Sequence, residues 1–138
     1  MDVGLTHVAL PVSDPSVSAR FYERYAGMRV VHDRTDQPDG RVLWLSDLTR
    51  PFVVVLIQYP GEVGALTGWA HLGVACRTRD EVDDRCADAR EAGLVVQGPY
   101  DSGPPVGYWA IIPDPDGHNL ELSYGQEVGT AVAQSRSA

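Results

Sequence analysis

The sequence predicts an α+β protein built from two tandem βαβββ modules, forming a curved, cup-shaped mixed sheet with helices on its outer face. Three observations predict it. The segment Leu5-Thr-His-Val-Ala-Leu-Pro-Val-Ser-Asp14 resembles Trp69-Ala-His-Leu-Gly-Val-Ala-Cys-Arg-Thr78, each an apolar strand with one histidine near its start. The histidines, His7 and His71, stand 64 residues apart. Further along, Trp44 matches Trp109 and Tyr59 matches Tyr124, both 65 apart, so a second stretch repeats independently of the first.

Each strand runs into a helix. In the first copy Asp14 is a good N-cap and Pro15 suits the first helical position, where its missing N–H costs nothing. Phe21, Tyr22 and Tyr25 fall at helical spacing, and Gly27 ends the run. In the second copy Thr78 and Glu81 make a capping-box pattern, Val82, Cys86 and Ala89 form the apolar stripe, and Gly93 closes it. Three strand-like runs follow each helix: 28–33, 41–45 and 52–59, then 94–97, 108–112 and 119–124. The turns between them are signalled by Gln37-Pro-Asp-Gly40, Ser102-Gly-Pro-Pro105 and Asp114-Pro-Asp-Gly117. Segments 60–67 and 99–106 read as loops able to rim a cavity. The modules cover about 1–62 and 66–126 of one domain spanning 1–126, and the small, polar residues 127–138 read as a flexible tail.

The bulk numbers narrow the function. A chain of 138 residues buries about two-thirds of its unfolded surface and needs no staples. Its 19 acidic against 11 basic residues give a net charge of −8, which disfavours nucleic acid and anionic membranes as partners. Two cysteines, Cys76 and Cys86, give no disulfide framework and read as small buried residues. The N-terminal segment has neither a basic region nor a long apolar run, so a cytoplasmic location is expected.

The paired modules, the histidine on each first strand and the phrase Asp114-Pro-Asp-Gly-His-Asn-Leu-Glu121 together resemble the vicinal oxygen chelate superfamily. That group includes glyoxalase I, extradiol dioxygenases, fosfomycin-resistance transferases and bleomycin-resistance proteins. The resemblance covers roughly residues 3–126. It implies one divalent metal ion on the concave face, chelated by neighbouring oxygens of a small-molecule substrate. His7, His71 and Glu121 are the matching ligand positions. The 65-residue offset puts Leu56 at the fourth, so the site is a three-ligand face with open positions. Two imidazoles and one carboxylate suit Fe2+ or Mn2+, with Zn2+, Ni2+ or Co2+ as further candidates.

Glu121 lies between apolar flanks, where a carboxylate turned inward needs a cationic partner. Gln58, Tyr108 and Trp109 are the candidate substrate contacts. Trp44 and Trp109 read as core aromatics first, His118 as a turn residue and His32 as a plain strand residue. Asp47, Asp114 and Asp116 read as turn formers. No subfamily fits throughout. Ring-cleaving dioxygenases place a tyrosine where Ile111 stands, ten residues before Glu121. Fosfomycin transferases place a basic residue beyond the glutamate, where 122–132 has none. The expectation is a metal-dependent enzyme with a dioxygenase-like ligand set, acting on a small oxygen-rich molecule. A non-catalytic binding or drug-resistance protein and a glyoxalase-like lyase or isomerase stand as alternatives. A homodimer is expected, either closed within each chain or with modules swapped between chains.

Overall fold

The computed structural model describes residue 2 and residues 5–34, 40–61 and 64–136. Most of the Gln37–Gly40 turn signal and part of loop 60–67 lie outside the described residues. The chain forms two compact units, one of residues 1–65 with 114–117, the other of 66–113 with 118–138. Each unit is one βαβββ module with its own four-stranded mixed sheet. Both sheets are separately hydrogen-bonded, which refines the expected single cup-shaped sheet.

In the first unit β1 (His7–Val12) leads into α1 (Pro15–Ala26), followed by β2 (Arg29–Arg34), β3 (Val42–Ser46) and β4 (Val53–Gln58). The strand order is β1-β4-β3-β2, with β1 parallel to β4 and the rest antiparallel. The Asp14 carboxylate accepts from the Ser16 and Val17 amides, and Gly27 ends the helix in the left-handed conformation. Alternation then decides the faces. Leu10, Val12, Leu43, Leu45, Val54 and Leu56 are buried on the side covered by Phe21, Tyr22 and Tyr25 of α1. His7, Ala9, Trp44, Val53, Val55 and Ile57 point to the opposite, open side.

The second unit repeats the plan with β5 (Leu72–Ala75), α2 (Arg79–Glu91), β6 (Gln97–Asp101), β7 (Tyr108–Pro113) and β8 (Asn119–Tyr124), in sheet order β5-β8-β7-β6. Thr78 caps α2 by accepting from the Glu81 amide, while Glu81 reaches back to the Arg77 amide. Val82, Cys86 and Ala89 are buried, as are Ala110, Ile112, Leu120 and Leu122 of the sheet. Burial raises the pKa of both thiols, Cys76 and Cys86.

Two expectations are corrected. β6 occupies Gln97–Asp101 and not 94–97, because a bulge between Gln97 and Tyr100 carries the strand through Gly98-Pro99, a pair that reads as a turn. That takes the first three residues of the expected 99–106 loop into the sheet. The segment expected as a flexible tail contains a helix, α3 (Val128–Arg136), with no buried residue.

Gly107 shows where the backbone demands glycine. Its φ is +84°, and a Cβ there would lie 2.5 Å from the Tyr124 carbonyl oxygen. Gly27 has φ +63° but open space around it. Both glycine-to-alanine changes carry the left-handed penalty of about 1–2 kcal/mol. Gly107→Ala is expected to cost at least about 1 kcal/mol more, by chemical denaturation, because the clash is with backbone.

Candidate metal-binding and ligand-binding faces

The open face of the second sheet is built around Glu121. β5 and β8 run parallel, so Gly73 lies beside Glu121 and His71 one step earlier on the same face. A side chain at Gly73 would begin 3.4 Å from the Glu121 carboxylate, in ordinary contact with it, which places the two residues on one face. Glu121 is only 8% exposed. Its Oε2 faces His71 Nε2 at 3.3 Å, and its Oε1 accepts from Gln126 Nε2 at 3.3 Å.

The proton position on His71 follows from its other nitrogen. His71 Nδ1 lies 2.6 Å from the Trp69 carbonyl oxygen. A carbonyl oxygen only accepts, so Nδ1 carries the hydrogen and, in the neutral ring, Nε2 presents a lone pair. That lone pair and a carboxylate oxygen face each other across 3.3 Å. Two acceptors so placed need a proton or a cation between them. An imidazole whose far N–H is held by a carbonyl is also the usual arrangement of a metal-bound histidine. His71 and Glu121 are thus two donors that a divalent ion would take, with no third His, Cys, Asp or Glu gathered beside them among the described residues.

Tyr108 and Trp109 diverge. The Tyr108 hydroxyl donates to Asp83 on α2, and the Arg79 guanidinium lies 4.1 Å over its ring, so the side chain is engaged on the helix side. The hydrogen bond to Asp83 holds its hydroxyl pKa above the ordinary value. Trp109 is on the open face, its indole N–H donating to Ser102 and its ring 5.0 Å from that of Tyr100. His118, 1% exposed, accepts the Leu66 amide on Nδ1 and so pins the loop before His71. The Asn119 side chain completes this by donating to the Gly68 and Ala70 carbonyls.

In the first unit His7 lines a groove of about 610 Å3 on the open face of its sheet. Its Nδ1 lies 2.9 Å from Thr6 Oγ1. The floor is apolar, and Trp44, 39% exposed, forms part of it. Trp44 is thus a groove aromatic, with His32 packed on it at 4.7 Å, and not a core one. Gln58 faces the other way, its side-chain oxygen accepting the Arg41 amide.

Strand register revises the repeat. Ala9 pairs with Val55 where Gly73 pairs with Glu121, so the counterpart of Glu121 is Val55, at an offset of 66, and not Leu56. Leu56 is fully buried on the helix side. The expectation that this position carries no metal ligand is unaffected, since valine has none. Among the described residues no three His, Cys, Asp or Glu side chains gather as a metal-holding group. The structure brings His71 and Glu121 together, and His7 belongs to the first unit. Gln126, the Trp69 carbonyl and the groove residues Arg34 and Arg50 went unread in the sequence. Nothing in spacing marks a carbonyl or a cross-strand neighbour.

The chain matches the model of the Glyoxalase/Bleomycin resistance protein/Dioxygenase superfamily over residues 4–122. It is 36% identical over 132 residues to the uncharacterized protein PA2024 of Pseudomonas aeruginosa, covering 94% of each chain. Among solved structures it is similar to TnmS3, an antibiotic binding protein from Streptomyces sp. CB03234, with 27% identity, TM-score 0.68 and coverage of 89% and 96%. The fosfomycin resistance protein FosX from Mesorhizobium loti shares the fold, with TM-score 0.71, 23% identity and coverage of 96% and 99%. With most of its length matched by the family model and a close relative along nearly all of it, the chain belongs to the glyoxalase/bleomycin resistance protein/dioxygenase superfamily.

Proposed function

We propose that the protein is a metal-dependent enzyme acting on a small oxygen-rich molecule that chelates the ion, with His7, His71 and Glu121 as ligands. The observation that carries this is the facing of His71 Nε2 and Glu121 Oε2 at 3.3 Å with Nδ1 committed to a carbonyl. Two imidazoles and one carboxylate favour Fe2+ or Mn2+. Such an ion supplies Lewis acidity, lowering the pKa of a bound hydroxyl or stabilising an enolate-like charge. The chain's own groups do the rest. The Trp69 carbonyl fixes the His71 tautomer, Gln126 holds one carboxylate oxygen aside, and Trp109 gives the substrate a flat apolar neighbour. A homodimer that swaps modules would take His7 from one subunit and the His71–Glu121 pair from the other. We place the protein in the cytoplasm.

A second reading, a non-catalytic binding protein, is favoured by the apolar groove of the first unit and the likeness to an antibiotic binding protein. Metal analysis of the purified protein separates the two. If it holds no metal and takes up none, and His7→Ala leaves ligand affinity unchanged, the enzyme reading fails. Oxygen uptake with catechols, set against isomerisation of hemithioacetals, then distinguishes dioxygenase from glyoxalase-like chemistry.

A further inference from the structure

We infer that the ligand of the first-unit groove is an elongated apolar acid whose anionic end is held by Arg34, at the end of the groove away from His7. The inference rests on the proposed metal site in one respect: the His7 end is taken as the end where the ligand's oxygens meet the ion.

The paired strands arrange the open face in rows. Ser46, Val53 and His7 share the first row, since Ser46 ends β3 beside the strand that pairs Val53 with His7. Trp44, Val55 and Ala9 make the second, with His32 beyond Trp44. Val42, Ile57 and Pro11 make the third, with Arg34 beyond Val42. His7 and Arg34 therefore stand at diagonal corners, on the order of 20 Å apart at the backbone, and closer by the reach of both side chains. Between them the floor is Val55, Ile57, Val42 and the part-exposed face of Trp44. A flat or extended hydrocarbon body fits that floor, and nothing along it rewards a polar middle.

Charge decides the far end. The chain carries a net charge of −8, yet the groove lining has two guanidiniums, Arg34 and Arg50, against one carboxylate, Asp2. Asp33, the acidic neighbour of Arg34 in sequence, is bound by Arg41 and held below the usual carboxylate pKa by that hydrogen bond. Among the described residues neither Arg34 nor Arg50 is in an ion pair. Arg50 lies in the turn before β4, near the His7 row, and its Nε donates to Thr49. That leaves Arg34 as the cation at the distal corner, with a planar fork matched to a carboxylate.

The test uses a probe pair of one shape and two charges, 2-naphthoate and 2-naphthamide, titrated calorimetrically into chelator-treated protein. The acid is expected to bind about two- to fivefold tighter than the amide, as for a solvent-exposed ion pair. Arg34→Gln should reduce that ratio to near one and leave amide affinity unchanged. Trp44→Ala should weaken both probes alike. Equal binding of acid and amide, or binding of neither, overturns the inference. A ratio that survives Arg34→Gln but collapses in Arg50→Gln overturns the assignment to Arg34. Because the ratio is read without metal, its failure is distinct from failure of the metal site, which metal uptake measures separately.

Discussion

Replacing Glu121 by glutamine is expected to abolish divalent-ion binding while leaving the chelator-treated protein at least as stable as before. The two halves of this prediction come from one geometry. With Nδ1 donating to the Trp69 carbonyl, a neutral His71 ring would present its Nε2 lone pair to Glu121 Oε2, acceptor to acceptor, at 3.3 Å. A glutamine NH2 in place of Oε2 would donate to Nε2 and turn the opposition into an ordinary hydrogen bond. A metal ion, by contrast, loses its one anionic ligand. The affinity loss for Mn2+ or Co2+ should exceed the ~10–100-fold that removal of an outer-shell partner costs. Gln126→Ala, which touches only Oε1, should fall inside that range. The competing account is a structural ion pair between His71 imidazolium and Glu121. Removing one partner of such a pair would cost stability, though less than the about 3–5 kcal/mol of a fully buried pair because the His71 side chain is one-third exposed. Thermal melts of the chelator-treated wild type and Glu121→Gln, read beside calorimetric ion titration, separate the accounts by sign. A melting temperature lowered by several degrees, or stoichiometric ion uptake by the variant, would sink the metal role.

Much of this arrangement was legible in the sequence because its signals are local. Asp14, Pro15 and Gly27 bracket α1, and Thr78 with Glu81 starts α2, since capping depends only on groups within one turn. The histidine strands were readable from the internal repeat, and Glu121 as an inward carboxylate from its apolar flanks, since both signals lie within short stretches of chain. Register was not legible. The matches of Trp44 with Trp109 and Tyr59 with Tyr124 suggested an offset of 65, whereas the pairing sets Trp44 opposite Val55 and Trp109 opposite Ser123. The connection between the last two strands is one residue longer in the first unit, six against five, and a one-residue slip exchanges the faces of a strand. Hence Leu56 and Gln58 were read as facing the site when they face the helix side. Arg34 was missed for a related reason: its place in the groove is set by cross-strand neighbours that only the folded sheet brings beside it.

The second large effect concerns the Asp114-Pro-Asp-Gly117 turn, which packs into the first unit. Asp114 Oδ1 accepts the Asp116 amide and so shapes the turn. Its Oδ2 accepts the hydroxyl of Tyr22, a fully buried residue of α1, at 2.8 Å. Asp116 in turn accepts the Ser13 amide just before the helix. The two carboxylates therefore bind the turn to the start and middle of α1. Asp114→Ala leaves the Tyr22 hydroxyl and the Asp116 amide without this acceptor, and about 3 kcal/mol of stability should be lost in urea denaturation. The same contact makes stability depend on alkaline pH. Burial first, then the Asp114 charge, raises the Tyr22 pKa far above its ordinary value of 10.0. Its phenol thus stays protonated in the folded state while the unfolded chain ionises it. Stability from this group is fully present below pH 10 and falls as pH rises beyond, by about 1.4 kcal/mol per unit. The chain has no lysine, but its five other tyrosines titrate in the same range, and Tyr108, raised by its hydrogen bond to Asp83, acts in the same direction. The buried thiols of Cys76 and Cys86 act in the same direction from a lower starting point, their ordinary value being 9.0. Tyr22→Phe removes only the Tyr22 component. Its unfolding free energy should start lower at pH 8 and decline less steeply between pH 10 and 11 than that of wild type. Parallel slopes for the two proteins would show that the Tyr22–Asp114 contact does not hold the phenol protonated.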